Sequence, residues 1–163
     1  MSPEPPSGSR CFVDANILVY YFVNNPLYSA PCDGFFRRVA AGDLLGFTSP
    51  MMISEALHRI MLSDVQVQFS TTKPLAYIQR HPHLIRQLTL YRLASQTLDR
   101  LGLSILPVHI ALFASAVGVA QTHSLLTDDA STVALMQREA LQILITNDDD
   151  FDAIPGIIVC KPR

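Results

Sequence analysis

The chain has little charge and almost no lysine. Only 16% of its 163 residues are Asp, Glu, Lys or Arg, the formal net charge is −2, and lysine occurs only at Lys73 and Lys161. This balance excludes a protein that holds a polyanion by charge alone, so a nucleic-acid substrate would need bound cations. Cysteine is also scarce. Cys11, Cys32 and Cys160 form no CxxC pair and are odd in number, which argues against a disulfide framework and for reduced core residues of a cytoplasmic protein. No HxxxH occurs: His81 and His83 flank a proline and His58 follows Glu55, so a histidine zinc site is not expected. Long apolar runs are missing too. No charged residue lies between positions 101 and 127, yet the uninterrupted small and apolar stretch, 110–120, is bounded by Pro107, His109, Gln121 and His123. It falls short of the ~20 residues that a bilayer requires. The expectation is a helix buried inside a soluble domain, and no membrane. The opening MSPEPPSGSR lacks an apolar core, so residues 1–10 are read as a disordered leader rather than a signal peptide.

What is present is enough for one core. With 49% hydrophobic residues, residues 11–163 suit a single domain, and there is no internal repeat. Strand-like and helix-like segments alternate. The apolar residues around Val13 predict a strand ended by Asp14, with Asn16 as cap of a helix from Ile17. A helix over 30–41 stops at Gly42, LLGF at 44–47 reads as a second strand, and Ser49-Pro50 opens a helix to about Ser63. Residues 64–72 read as a polar connection. Leu84, Ile85, Leu88, Leu93 and Leu98 indicate one or two amphipathic helices across 74–101, where most arginines sit. LSIL at 103–106 is a third strand, Pro107 can start the apolar helix to His123, and Thr127 can cap another to about Leu141. QILI at 142–145 and IIVC at 157–160 complete the strands. The order predicts an α/β fold, a three-layer α/β/α sandwich with a mainly parallel central sheet.

Four acids stand where such sheets keep their chemistry. Asp14 ends the first strand, where a turn or capping role is the plain alternative; Asn16 lies on the same face. Glu55 can pair with Arg59 one turn on, but its helix is apolar nearly all round, which predicts a half-buried carboxylate. Asp128 and Asp129 both open a helix. Asp129 shares the apolar stripe of Val133, Met136 and Ala140, whereas Asp128 aligns with Thr132, Leu135 and Glu139. Asp148 follows the strand QILI in TNDDDF. The run D-x-D-x-D at 148–152 is a poor calcium loop, with Ala153 and Val159 where an EF-hand needs glycine and glutamate. Oxygen-only ligands from several strand and helix ends suit Mg²⁺ or Mn²⁺, and such ions can activate a water against a phosphodiester.

VDANILVYY, SPMMISEALHRI and TDDASTVALMQREALQILITNDDDF, in this order, resemble the PIN domain, especially the small VapC-type toxin ribonucleases of prokaryotic toxin–antitoxin pairs. The resemblance extends over nearly all of residues 11–162. It implies Asp14, Glu55, Asp129 and Asp148 as catalytic and metal-binding acids, with Asn16, Thr146 and Asp150 as polar supports. Ser131-Thr132 depart from the family's usual helix, and Asp128 offers a competing carboxylate. The resemblance further implies a Mg²⁺- or Mn²⁺-dependent endoribonuclease acting on single-stranded or loop RNA, a homodimer and a small antitoxin. Arg80, Arg86 and Arg92, in the arginine-rich stretch, are expected to guide RNA. Two other readings differ in class. One is an inactive PIN domain serving as a nucleic-acid or protein adaptor. The other is aspartyl phosphotransfer through Asp14, which lacks the usual second aspartate at position 16.

Overall fold

In the computed structural model, which describes residues 3–162, burial begins with the first strand. Cys11, Phe12 and Val13 of β1 (Arg10–Val13) are fully buried, as a strand covered on both faces requires. β1 lies between β2 (Leu45–Thr48) and β4 (Ile143–Ile145), while β3 (Ser104–Ile105) and β5 (Ile158–Cys160) form the edges. Every pairing is parallel, and Phe12 stands opposite Phe47 on one side and Leu144 on the other.

Helices α1 (Ala15–Phe22) and α2 (Ser29–Ala40) connect β1 to β2. Helices α3 (Pro50–Gln68), α4 (Pro74–Arg80) and α5 (Leu90–Thr97), with 3-10 turns at Pro82–Gln87 and Leu98–Leu101, connect β2 to β3. α6 (Ile110–His123) and α7 (Thr127–Arg138) return across the sheet to β4. Crossovers between parallel strands are right-handed. The first two run toward β3 and place their helices on one face; the third runs back and places α6 and α7 on the other. The packing divides in the same way, α1 against α2 and α3, α3 against α4 and α5, and α6 against α7. The result is the expected α/β/α sandwich. The chain leaves β1 toward β2, while β4 pairs on β1's other side, so the strand order reverses beside the C-terminal ends of β1 and β4. In open sheets that crevice is where ligands bind.

Several local expectations need correction. Asp14 itself caps α1, accepting from the Ala15 N–H at 2.6 Å, and Asn16 lies inside the first turn. Ser49 caps α3 as expected, accepting from the Met52 N–H at 3.3 Å. Thr127 is the first residue of α7 and not its cap, because the chain enters the helix through extended Leu126. Pro107 does not start α6. Residues 107–109 stay outside the helix, and the Pro107 carbonyl accepts from Arg138 Nη2 at 2.6 Å. α6 is also far from buried: only Leu112 and Ala116 are, whereas Ile110 is 85% and Val117 55% exposed. Its outer face is apolar without being covered, since its main neighbour is α7 alone. Among the described residues, no single helix is long and apolar enough to cross a membrane.

The N-terminal leader is fastened rather than loose over residues 3–9. Pro5 is buried and its carbonyl accepts from Arg38 Nη2 at 2.9 Å, and the Gly8 N–H donates to the Asp43 carbonyl at 2.7 Å. The β4–β5 connection contains no helix. Residues 3–5 lie near it as a strap and line, with Cys32, Ile145 and Cys160 among others, a partly open cavity of about 260 Å³. Met1 and Ser2 fall outside the described residues.

The segment 64–72 is not simply a connection, because α3 continues through Gln68 and buries Asp64. Asp64 Oδ2 accepts from the N–H groups of Thr89 and Leu90 at 2.9 and 2.8 Å, and Oδ1 accepts from Gln68 Nε2 at 2.7 Å. The carboxylate thus satisfies the start of α5, which has no side-chain cap of its own. Asp64→Ala is expected to cost on the order of 2–3 kcal/mol, because it leaves these donors unsatisfied. Asp64→Asn, which keeps an oxygen acceptor, should cost less. Urea midpoints at unchanged m-value measure both.

Candidate active site

The apolar run of β1 ends at Val13, so the next side chain emerges at the crevice. It is Asp14, and three donors hold it. Thr146 Oγ1 donates to Asp14 Oδ2 at 2.6 Å, Asn16 Nδ2 donates to the same oxygen at 2.6 Å, and the Ala15 N–H donates to Oδ1 at 2.6 Å. Thr146 is fully buried at the end of β4 and accepts in turn from Asn16 Nδ2 at 2.9 Å and from the Asp148 N–H at 3.0 Å. Asn16 Oδ1 accepts from the Asn147 N–H at 3.3 Å. One small network therefore joins the ends of β1 and β4 and sets the path of the chain through residues 146–148. Asn16 and Thr146 are thus both hydrogen-bonded to Asp14.

Around Asp14 the other carboxylates collect. Burial pushes Asp14 above the ordinary aspartate range, and Glu55 and Asp148 add to the rise, while the bonds from Thr146 and the Ala15 N–H pull it down. Asp129 is pushed up to about 6, first by burial and then by Asp148, Asp150, Asp14 and Asp128. Asp129 is half-buried and Asp128 exposed, as the helical spacing predicts. The stripe ends sooner than expected: Ala140 lies beyond α7 in a left-handed conformation with φ of 53°. Glu55 is half-buried and paired with Arg59 at 3.4 Å. Asp150 donates its N–H to Asp148 Oδ1 at 3.0 Å. Asp149 and Asp152 pair with Lys161, and Asp149 also lines the crevice beside Asp148 and Asp150.

The charges of Glu55 and Asp148 act on Asp14, and those of Asp148, Asp150 and Asp14 act on Asp129, so the four acids are neighbours, but they are not a finished cage. Among the described residues no three aspartate, glutamate, histidine or cysteine side chains already form a group that could hold a metal ion. The donor set nevertheless fits a hard divalent cation, being oxygen only and made of carboxylates whose mutual repulsion a cation would relieve. Asp14, Glu55, Asp129 and Asp148 would hold it after drawing together, and Glu55 would have to leave Arg59.

Three residues of the crevice escaped the sequence. Arg59 lines it together with Asn16, Asp148 and Asp150, as do Tyr20 and Asn147. Tyr20 lies one helical turn from Asn16, and Arg59 one turn from Glu55, so helical spacing could have found both. Arg80, Arg86 and Arg92 are exposed on α4, the first 3-10 turn and α5. None of the three lines the crevice.

The raised carboxyl groups have a consequence for stability. Asp129 titrates at about 6 in the folded protein against 3.8 for an ordinary aspartate. Between these values the folded state binds more protons than the unfolded state, so stability increases as pH falls through this window. Asp14 shifts in the same direction. The metal-free protein is expected to gain melting temperature between pH 7 and pH 5 relative to Asp129→Asn, which lacks one of these groups. Differential scanning fluorimetry in chelator, on both proteins at both pH values, measures this. Parallel pH profiles would contradict the assignment.

The model of the PIN domain matches residues 11–157. No curated protein sequence matches the chain. Solved structures share its fold at low identity. The VapBC2 complex of Rickettsia felis, bound to a DNA fragment from its promoter, is 14% identical with a TM-score of 0.58, covering 93% of this chain and 98% of that one. A toxin–antitoxin complex from Klebsiella pneumoniae is 19% identical with a TM-score of 0.59, covering 94% and 98%. The sarcin-ricin loop cleaving toxin VapC20 of Mycobacterium tuberculosis is 17% identical with a TM-score of 0.54, covering 88% and 93%. With most of its length matched by the family model, and with a five-stranded parallel sheet that carries acids at its reversal point, the chain belongs to the PIN domain family, whose members are typically nucleases and generally use a divalent metal.

Proposed function

We propose that the protein is a Mg²⁺- or Mn²⁺-dependent endoribonuclease that cuts single-stranded or loop RNA, and that it is the toxin of a toxin–antitoxin pair. The observation that carries this reading is the half-buried Asp14, held by Thr146 and Asn16 and raised in part by Glu55 and Asp148. A structural aspartate needs no such company. A bound cation would supply activation of the attacking water and charge stabilisation at the departing ribose oxygen. The chain's own residues do the rest. Asp14 is kept in one orientation by its three donors, Asp148 is positioned through its N–H to Thr146, and Asp129 is carried in by the first turn of α7. Arg59 supplies a cation beside the acids that can meet an RNA phosphate once Glu55 is otherwise engaged. Water adds to phosphorus, and the bond to the departing ribose oxygen breaks.

The reading extends to a cytoplasmic protein, in keeping with three free and buried cysteines, and to a homodimer inhibited by a small antitoxin. The exposed apolar side chains of Ile110, Val117 and Leu126 offer surface for a second copy. One observation favours an inactive adaptor instead: Glu55 is already paired with Arg59.

The same experiment separates the two. Highly purified protein should cut single-stranded RNA with Mg²⁺ or Mn²⁺ and stop in excess EDTA. Asp129→Asn should lower cleavage by roughly tenfold or more, as expected on losing a ligand's charge, and Asp128→Asn should cost several-fold less. Undiminished cleavage in EDTA, or the larger loss in Asp128→Asn, would sink the assignment. Joint replacement of Arg80, Arg86 and Arg92 by alanine should weaken RNA binding and flatten its salt dependence. An unchanged slope would show that this surface faces elsewhere and would leave Arg59 as the RNA contact.

A further inference from the structure

Glu55 has a second side. Away from the crevice it borders a cavity of about 640 Å³ between the first turns of α3, the residues preceding α6 and the start of α7. The cavity has an apolar lining from Met51, Met52 and Val108, a ring at His58, and carboxylates at Glu55 and Asp128. Asp128 stands exposed in the first turn of α7 and makes no hydrogen bond or ion pair among the described residues, so its carboxylate is free to meet a ligand. We propose, resting on the ribonuclease reading above, that this cavity seats a base of the substrate next to the scissile phosphate, that the base is guanine, and that Asp128 selects it.

The lining chooses among occupants. A phosphate is disfavoured, because two carboxylates border the cavity. A wholly apolar ligand would leave Asp128 without a donor, whereas Glu55 already has Arg59. A base satisfies both, with a flat face for the methionines and valine, an imidazole to stack on, and polar edges. Glu55 borders the cavity and its charge acts on Asp14, so a base seated there would belong to a nucleotide near the reacting bond. The carboxylate then decides which base. It only accepts hydrogen bonds, and guanine alone presents two adjacent donors, N1–H and the N2 amino group, that meet both oxygens at once. Adenine and cytosine set a ring acceptor beside their amino group, facing one oxygen with a lone pair. Uracil offers a single N–H between two carbonyls. A good two-bond pairing of this kind discriminates by about tenfold or more. The neighbouring aspartates at 128 and 129 thus divide their work, one toward the base and the other toward the metal.

The test uses the full chain with RNA of randomised sequence and Mn²⁺, reading both new ends by sequencing. Wild type should show guanine over uracil by about tenfold at one position flanking the cut, and Asp128→Ala should reduce that ratio to near unity. Ser54→Phe, at an exposed helix position lining the same cavity, should do so by obstruction. In a second arm that does not depend on cleavage, ¹³C-methyl methionine spectra are recorded with guanosine or uridine 5′-monophosphate. Met51 and Met52 should shift with the guanine nucleotide only, and less in Asp128→Ala. Cleavage without a guanine preference, or a preference untouched by Asp128→Ala, overturns the subsite and leaves the ribonuclease reading standing. No cleavage by wild type, with Met51 and Met52 still answering to guanosine monophosphate, overturns the ribonuclease reading and supports a guanine site. Equal shifts with both nucleotides overturn the selectivity.

Discussion

The bond from Thr146 to Asp14 links two strands that are far apart in sequence and makes one site of their ends. A carboxylate taken out of water is costly unless it is well supplied with donors. Asp14 meets that condition with a backbone N–H, an amide and a hydroxyl. Thr146 can serve as one of them because its hydroxyl donates once while accepting from Asn16 and from the Asp148 N–H. The hydrogen-bonding capacity of Thr146 and the position of Asp148 are therefore the same fact. A valine at 146 would keep the strand and lose both. The central place of β1 in the sheet is what allows this economy, since β4 is its immediate neighbour.

The remaining acids bring charge without such support. Burial and mutual repulsion hold Asp129 near 6, and Glu55 has only a long contact to Arg59. Fold stability is given up at this edge of the sheet and made up elsewhere. Asp64, buried more deeply than Asp14, sits among donors from α3 and the start of α5. The contrast separates an aspartate that builds the fold from aspartates that the fold tolerates.

Much of this was legible in the chain because it is local. An apolar strand followed by Asp14, a serine and proline before α3, and an apolar run before TNDDDF each announce themselves within a few residues. The difference in exposure between Asp128 and Asp129 needed only helical spacing. What stayed hidden depends on distance. The partners of Asp64 lie 25 and 26 residues away, so nothing near it explains why α3 should bury an acid. The exposure of α6 was invisible for another reason: an apolar composition says that a helix can be covered, not that another element arrives to cover it. Arg59 was assigned to Glu55 alone, since pairing along a helix is readable and the approach of the 147–150 loop is not. The leader's low apolar content suggested disorder, whereas its hold on the fold comes through backbone groups, Pro5 O and Gly8 N, which composition cannot report.

The strap formed by residues 3–5 has a consequence of its own. The cavity beneath it is bordered by Cys32 and Cys160, and both thiols are buried. Burial pushes Cys32 up to about 12, so little thiolate exists in the folded protein. A buried thiol gains accessibility and thiolate together only when the packing around it opens. The rate at which a thiol reagent modifies Cys32 is then a clock for opening of this one layer, readable well below the denaturant concentration that melts the sheet.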